Sequence, residues 1–251
     1  MIEAIGLSLR FANGKLALDA LNLRVQAGEI YCLLGAKGAG KTTAIDLLLG
    51  FRRPTSGRAR IDGIDVAEEP LAARSRVAYL ADTTAFYRRL SLLQNLDLFA
   101  RLGGRLAPSR HDLEMALRAV GLPESDFHRR VGELDPGAAR KLGIAAARMK
   151  EAPALLLDEP LSGLDPKAAA EVVELLEELR GERRALLVTM QDLFWVRQLA
   201  DHAVILQEGR QVLTRTREEL RLEDLERLYV DYMRGGFQAS RSSRSSPESP
   251  Y

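Results

Sequence analysis

Apolar and polar positions alternate along residues 2–10, with Ile2, Ala4, Leu7 and Leu9 on one side. They alternate again along 21–25, where Leu21, Leu23 and Val25 are spaced by Asn22 and Arg24. A period of two predicts strands with one buried face. Residues 30–34 are nearly all apolar, which predicts a central parallel strand covered on both sides. A glycine-rich loop follows, and then a helical pattern over 42–49 that Gly50 stops. Residues 57–80 read as short strands around a turn, ending in a strand at 77–80.

From Ser91 to Lys150 the periodicity becomes helical. Ser91 is placed to cap a helix carrying Leu92, Leu93, Leu96, Leu98 and Phe99, and Ser109 to cap one carrying Leu113, Leu117 and Val120. A third helix is predicted through roughly 137–149. A strand returns at 154–157, and Asp165 with Pro166 gives an N-cap and first-turn proline for a helix reaching Arg180. Strands near 185–189 and 203–207 flank a helix near 192–200, and helices near 216–222 and 223–233 close the fold. Fold class follows: α/β, with a parallel-sheet core, an N-terminal antiparallel β part, and a helical segment of about 83–150 inserted into one unit spanning 1–234. Residues 235–251, rich in Ser and Arg, have little to bury and are expected to be disordered.

Composition narrows the classes. The 251 residues are 46% hydrophobic and 28% charged, as in an ordinary folded domain. Thirty-six Lys and Arg nearly cancel 35 Asp and Glu, so no global field favours nucleic acid, and no nucleic-acid partner is expected. The single cysteine, Cys32, lies in the apolar 30–34 run and reads as a core thiol in a reducing compartment. There is no basic-then-apolar leader and no apolar stretch of membrane-span length, so work at a membrane requires spans from another chain.

The chemistry concentrates in two places. Gly35, Ala36, Lys37, Gly38, Ala39, Gly40, Lys41, Thr42 and Thr43 satisfy the phosphate-binding loop pattern between a predicted strand and helix. Glycines let the backbone curl its N–H groups toward phosphates, the helix N-terminus adds positive potential, Lys41 reaches the β- and γ-phosphates, and the Thr42 hydroxyl suits magnesium. Far along the chain, Leu155, Leu156 and Leu157 lead into Asp158 and Glu159. An acid at the carboxyl end of a strand beside such a loop gives Asp158 a second metal contact and sets Glu159 to polarise the attacking water.

With these motifs in this order, the chain resembles the nucleotide-binding domains of ABC transporters from Ile2 to about Tyr232. The resemblance matches 35–43 to the Walker A motif, 155–159 to Walker B and 162–166 to the D-loop, and puts Phe11 where the family stacks an aromatic ring on adenine. It implies ATP and Mg2+ as cofactors, and membrane-spanning permease subunits as partners reached through the helical segment. It also implies a head-to-tail homo- or heterodimer with another nucleotide-binding domain, at the cytoplasmic face of the inner membrane.

Three positions depart from the family. Its signature loop aligns with Leu134, Asp135, Pro136, Gly137 and Ala138, its switch histidine with Gln191, and its Q-loop glutamine with Asp82. Asp135 brings a carboxylate toward a polyanion and Pro136 has no N–H, though together they start a helix well. Gln191 can hydrogen-bond a γ-phosphate but cannot carry charge, and Asp82, shorter than glutamine, remains a metal candidate. Glu159 is intact. Slow ATP hydrolysis, compensated by a more typical partner, is the expectation; a soluble ABC protein outside transport and an ATP-binding regulatory module are the alternatives. His111, His128 and His202 lack metal-ligand spacing, Arg88 and Arg89 read as solvated, Trp195 as packing, and the apolar positions of 222–233 as packing or a partner contact.

Overall fold

A computed structural model describes residues 1–82 and 86–222. In chain order it contains β1 (Ile2–Arg10), β2 (Leu16–Val25), β3 (Ile30–Leu34), α1 (Lys41–Leu48), β4 (Ser56–Ile61), β5 (Ile64–Asp65), α2 (Pro70–Ser75) and β6 (Val77–Leu80). It continues with α3 (Leu92–Leu102), α4 (Arg110–Ala119), α5 (Pro136–Met149), β7 (Ala154–Asp158), α6 (Pro166–Gly181), β8 (Ala185–Met190), α7 (Leu193–Leu199), β9 (His202–Gln207), β10 (Arg210–Thr216) and α8 (Arg217–Leu222).

The strands run in the order β5-β4-β1-β2-β10-β9-β3-β8-β7-β6. Strands β9, β3, β8, β7 and β6 are mutually parallel, whereas β1, β2, β4 and β5 form an antiparallel wing. The wing joins the core through β10, which pairs with β2 at Arg210 and Asp19. Core strands β3, β7 and β8 are apolar along nearly their whole length because both faces are covered, with Asp158 and Thr189 the polar exceptions. Ile30, Cys32, Leu34, Leu155, Leu157, Leu186 and Val188 face one cluster with α3–α7, while Tyr31, Leu33, Leu156 and Leu187 face another with α1 and the wing. Burial there pushes the Cys32 thiol up, as befits a core group.

The three helices between β6 and β7 start where their caps dictate. Ser91 and Ser109 each form a capping box, with Gln94 and Asp112 respectively. Those hydrogen bonds from Ser109 hold the Asp112 carboxyl below its usual range. Asp135 caps α5, accepting from Ala138 N at 2.9 Å, with Pro136 at the first turn. Since β6 and β7 are neighbours, the whole helical segment is a connection between adjacent parallel strands.

Two elements differ from the sequence reading. Helix α2 forms where only strands were expected, started by Pro70. The two-residue β5 closes the hairpin at Asp62 and Gly63, one of the short strands expected around that turn. Residues 210–216 form β10 as an antiparallel partner of β9, and the closing helix starts at Arg217. The helix expected at 223–233 and the tail 235–251 lie outside the described residues. Among the described residues, no helix is long and apolar enough to cross a membrane.

Candidate functional site

Strand β3 delivers Gly35 to the edge of the parallel sheet, where the chain curls before α1. A Cβ on Gly35 would lie 2.5 Å from Leu206 O and 2.8 Å from Ala39 Cβ, so the loop closes only around glycine. Gly38 and Gly40 take positive φ of 86° and 109°. Gly40 is the N-cap of α1 with no side-chain cap, so the first amides of the helix are not met by a capping side chain.

Lys41 turns back into its own loop, donating from Nζ to Gly35 O at 2.5 Å and Ala36 O at 3.2 Å. It is buried, and its charge is met by Glu159 Oε1 at 3.1 Å. Thr42 Oγ1 donates to Asp158 Oδ2 at 3.3 Å, uniting residues 116 positions apart. Gln191 Nε2 donates to Glu159 Oε1 at 3.1 Å. Glu159 sits at φ 48°, a left-handed conformation costly for a residue with a side chain and held by its surroundings.

These groups border a cleft of ≈ 840 Å³, together with Phe11, Lys15, Lys37, Gly38, Gly40, Thr43, Ser162 and Glu208. That size suits a nucleotide-scale ligand. Gly35, Ala36 and Ala39 do not border the cleft but shape its floor: Ala39 N donates to Ala36 O at 3.1 Å and Gly209 N to Ala39 O at 2.9 Å. The Phe11 ring is half-buried, with the Arg52 guanidinium 5.4 Å from its centroid. Asp82 borders the cleft, but its Oδ1 accepts from Arg140 Nη2 at 3.1 Å.

Two residues escaped the sequence reading. Thr189, fully buried on β8 and in register with Asp158, donates from Oγ1 to Asp158 Oδ1 at 2.5 Å and accepts from Glu159 N at 2.9 Å. One hydroxyl thus sets both acids. The other is Arg140, an arginine buried among apolar α5 residues. The histidines go elsewhere: His202 stacks on Tyr31 at 5.7 Å, and His128 Nε2 lies 3.2 Å from Arg110 Nη2.

The sheet order, the glycine loop on α1 and the two acids ending β7 form one arrangement, and comparison with known proteins gives it a family. The ABC transporter family model matches residues 18–162, which take in both the loop and the acids. This chain belongs to the ABC transporter family. An ATP-binding protein for daunorubicin resistance from Streptomyces coeruleorubidus is 38% identical over 225 residues, covering 88% of this chain and 70% of that protein. A Nod factor export ATP-binding protein from Burkholderia lata is 34% identical over 198 residues, covering 79% of this chain and 65% of the relative. The chain therefore spans about two thirds of the length of such relatives. A solved ATP-binding subunit of an ABC transporter superimposes with a TM-score of 0.80 at 28% identity, covering 93% of this chain and 99% of that one. As an ABC protein, the chain is an ATP-binding protein of an ATP-hydrolysing family.

Proposed function

We propose that this ABC protein is the ATP-binding subunit of a transport complex of the export type, coupling ATP binding and slow hydrolysis to conformational change in membrane-spanning partners at the cytoplasmic face of the membrane. The observation that carries the proposal is the convergence of Lys41, Thr42 and Asp158 on one cleft at the sheet edge. The donor set suits a magnesium-bound triphosphate: a hydroxyl and a buried carboxylate in contact, a buried ammonium, and helix amides without a side-chain cap. Bound there, magnesium would neutralise developing charge on the phosphates.

The chain's own groups divide the remaining work. Lys41 is held by Glu159 and two loop carbonyls, so a polyphosphate must take the ammonium from the carboxylate. That transfer leaves Glu159, still bonded to Gln191, as the acceptor for a water proton. Phe11 offers a face to the base, and Lys37, Thr42 and Thr43 line the phosphate end.

Slow turnover rests on what the departures from the family do here. The Asp135 carboxylate is committed to capping α5, and Pro136 provides no N–H, so neither residue brings a neutral donor to a γ-phosphate across a dimer. Gln191 holds Glu159 without carrying charge. The helical face beside β6 supports the membrane-partner reading: it carries a largely apolar groove of ≈ 310 Å³ lined by Phe51, Tyr79, Phe86, Phe99 and Leu102. The test is steady-state ATP turnover by the purified chain and by the complex co-purified from membranes, with Glu159→Gln as control. Turnover should be low for the chain alone and rise in the complex. Rapid turnover by the isolated chain refutes slow hydrolysis, and failure to co-purify with a polytopic partner refutes the transport assignment.

A further inference from the structure

Arg140 is 8% exposed, and an arginine so enclosed is costly unless its fork is paired. Its Nη1 donates to Ala81 O at 2.9 Å and its Nη2 to Asp82 Oδ1 at 3.1 Å. Ala81 and Asp82 directly follow β6, whereas Arg140 stands one turn into α5. Three residues further along the helix, Gly143 packs so tightly on Leu80 that a Cβ there would lie 2.3 Å from Leu80 Cδ1. The first half of α5 is thus fastened to three successive residues, Leu80, Ala81 and Asp82.

Each end of this fastening matters. Asp82 borders the nucleotide cleft. The first turn of α5 continues directly from Leu134, Asp135 and Pro136, the loop that in the dimer reading faces the nucleotide of the opposite subunit. A carboxylate whose Oδ1 is held by a buried guanidinium is a poor candidate for a metal in the cleft, and Thr42 and Asp158 already provide a hydroxyl and a carboxylate there. We infer that Asp82 is not a metal ligand but a positioning residue acting through Arg140, tying the nucleotide cleft to the first turn of α5 and so to the loop 134–138. The inference rests on the nucleotide-binding reading above for its functional meaning.

The experiment uses the full chain with Asp82→Asn, Arg140→Gln, both together, and Arg140→Lys. Two quantities are read: the magnesium concentration giving half-maximal binding of a fluorescent ATP analogue, and hydrogen exchange of the amides of residues 137–143 with and without Mg-ATP. Asp82 is half exposed and Asn is isosteric, so Asp82→Asn folds and decides the matter even where Arg140→Gln does not. Asp82→Asn, Arg140→Gln and the double variant should each speed exchange at 137–143 by about fivefold, the double no more than either single. All three should lose the effect of nucleotide on that exchange, with Arg140→Lys in between. The magnesium requirement should stay within about twofold of the parent chain.

A rise of about tenfold in the magnesium requirement for Asp82→Asn alone would make Asp82 a ligand and overturn the inference. Exchange at 137–143 unchanged in Asp82→Asn would overturn it equally. Failure of the parent chain to bind the analogue with magnesium present would sink the nucleotide reading instead, leaving the accelerated exchange in nucleotide-free variants to stand on its own.

Discussion

Replacing Thr189 by valine keeps the shape of a fully buried side chain and deletes one oxygen. That oxygen serves Asp158 at 2.5 Å and the Glu159 amide at 2.9 Å, so the substitution leaves a buried carboxylate oxygen and a backbone N–H without their partner. Each such loss costs about 1–3 kcal/mol, and because Thr42 still reaches the other oxygen of Asp158 the total should be roughly 2–4 kcal/mol. For a chain of this length that lowers the melting midpoint by about 5–10 °C. Thr189→Ser, which retains both hydrogen bonds and loses a methyl, should cost only about 1 kcal/mol. Urea denaturation of the three chains gives the stabilities, and titration with a fluorescent ATP analogue at fixed magnesium gives the functional side. There Thr189→Val should bind about tenfold more weakly because Asp158 is no longer held in place. If valine and serine variants match in stability and in affinity, the hydroxyl does not set the two acids and the account of the site is wrong.

Other perturbations follow from the same geometry. Gly35→Ala forces a methyl to within 2.5 Å of Leu206 O and should destabilise the chain by about 1–3 kcal/mol in denaturation while weakening nucleotide binding. Asp135→Ala removes the cap of α5 and should cost about 1 kcal/mol, whereas Asp135→Ser keeps the cap; equal melting of the two variants would refute the capping role. Burial pushes the Tyr31 phenol from 10.0 up to about 12. The fold therefore favours its protonated form, a contribution intact below pH 10 and lost as pH climbs toward 12. Tyr31→Phe should flatten the fall in stability across that window, measured by urea melts at intervals of pH.

The sequence carried the central strands and the phosphate loop plainly because their signals are local. An unbroken apolar run needs cover on both faces, and a loop of three glycines leading into Lys41 has few other uses. Serine and aspartate caps placed the helical segment nearly to the residue, since a cap is chemistry between near neighbours. Strand β10 was hard to see because Arg210, Gln211, Thr214 and Arg215 make it polar and, among the described residues, it pairs at length with β9 but at a single position with β2. Helix α2, six residues long, has no side-chain cap to announce it. Thr189 and Arg140 escaped for another reason: their partners lie 31 and 58 residues away, and no period or motif encodes such pairings. A faint sign existed in Arg140, which shares its helical face with Ile144 and Ala147, buried positions where an arginine needs a counter-charge.

The central placement of β3 has a consequence during synthesis. Its immediate neighbours are β8 and β9, so Ile30 waits for Leu186 and Tyr31 for His202. At translation speeds of roughly 5–20 residues per second, those partners leave the ribosome on the order of ten seconds or more after the strand that needs them. In that interval the five-residue run Ile30–Leu34 is an unpaired, uncharged, β-prone stretch of nascent chain. The segment that ultimately carries the phosphate loop is thus one in need of shelter by a chaperone while the protein is being made.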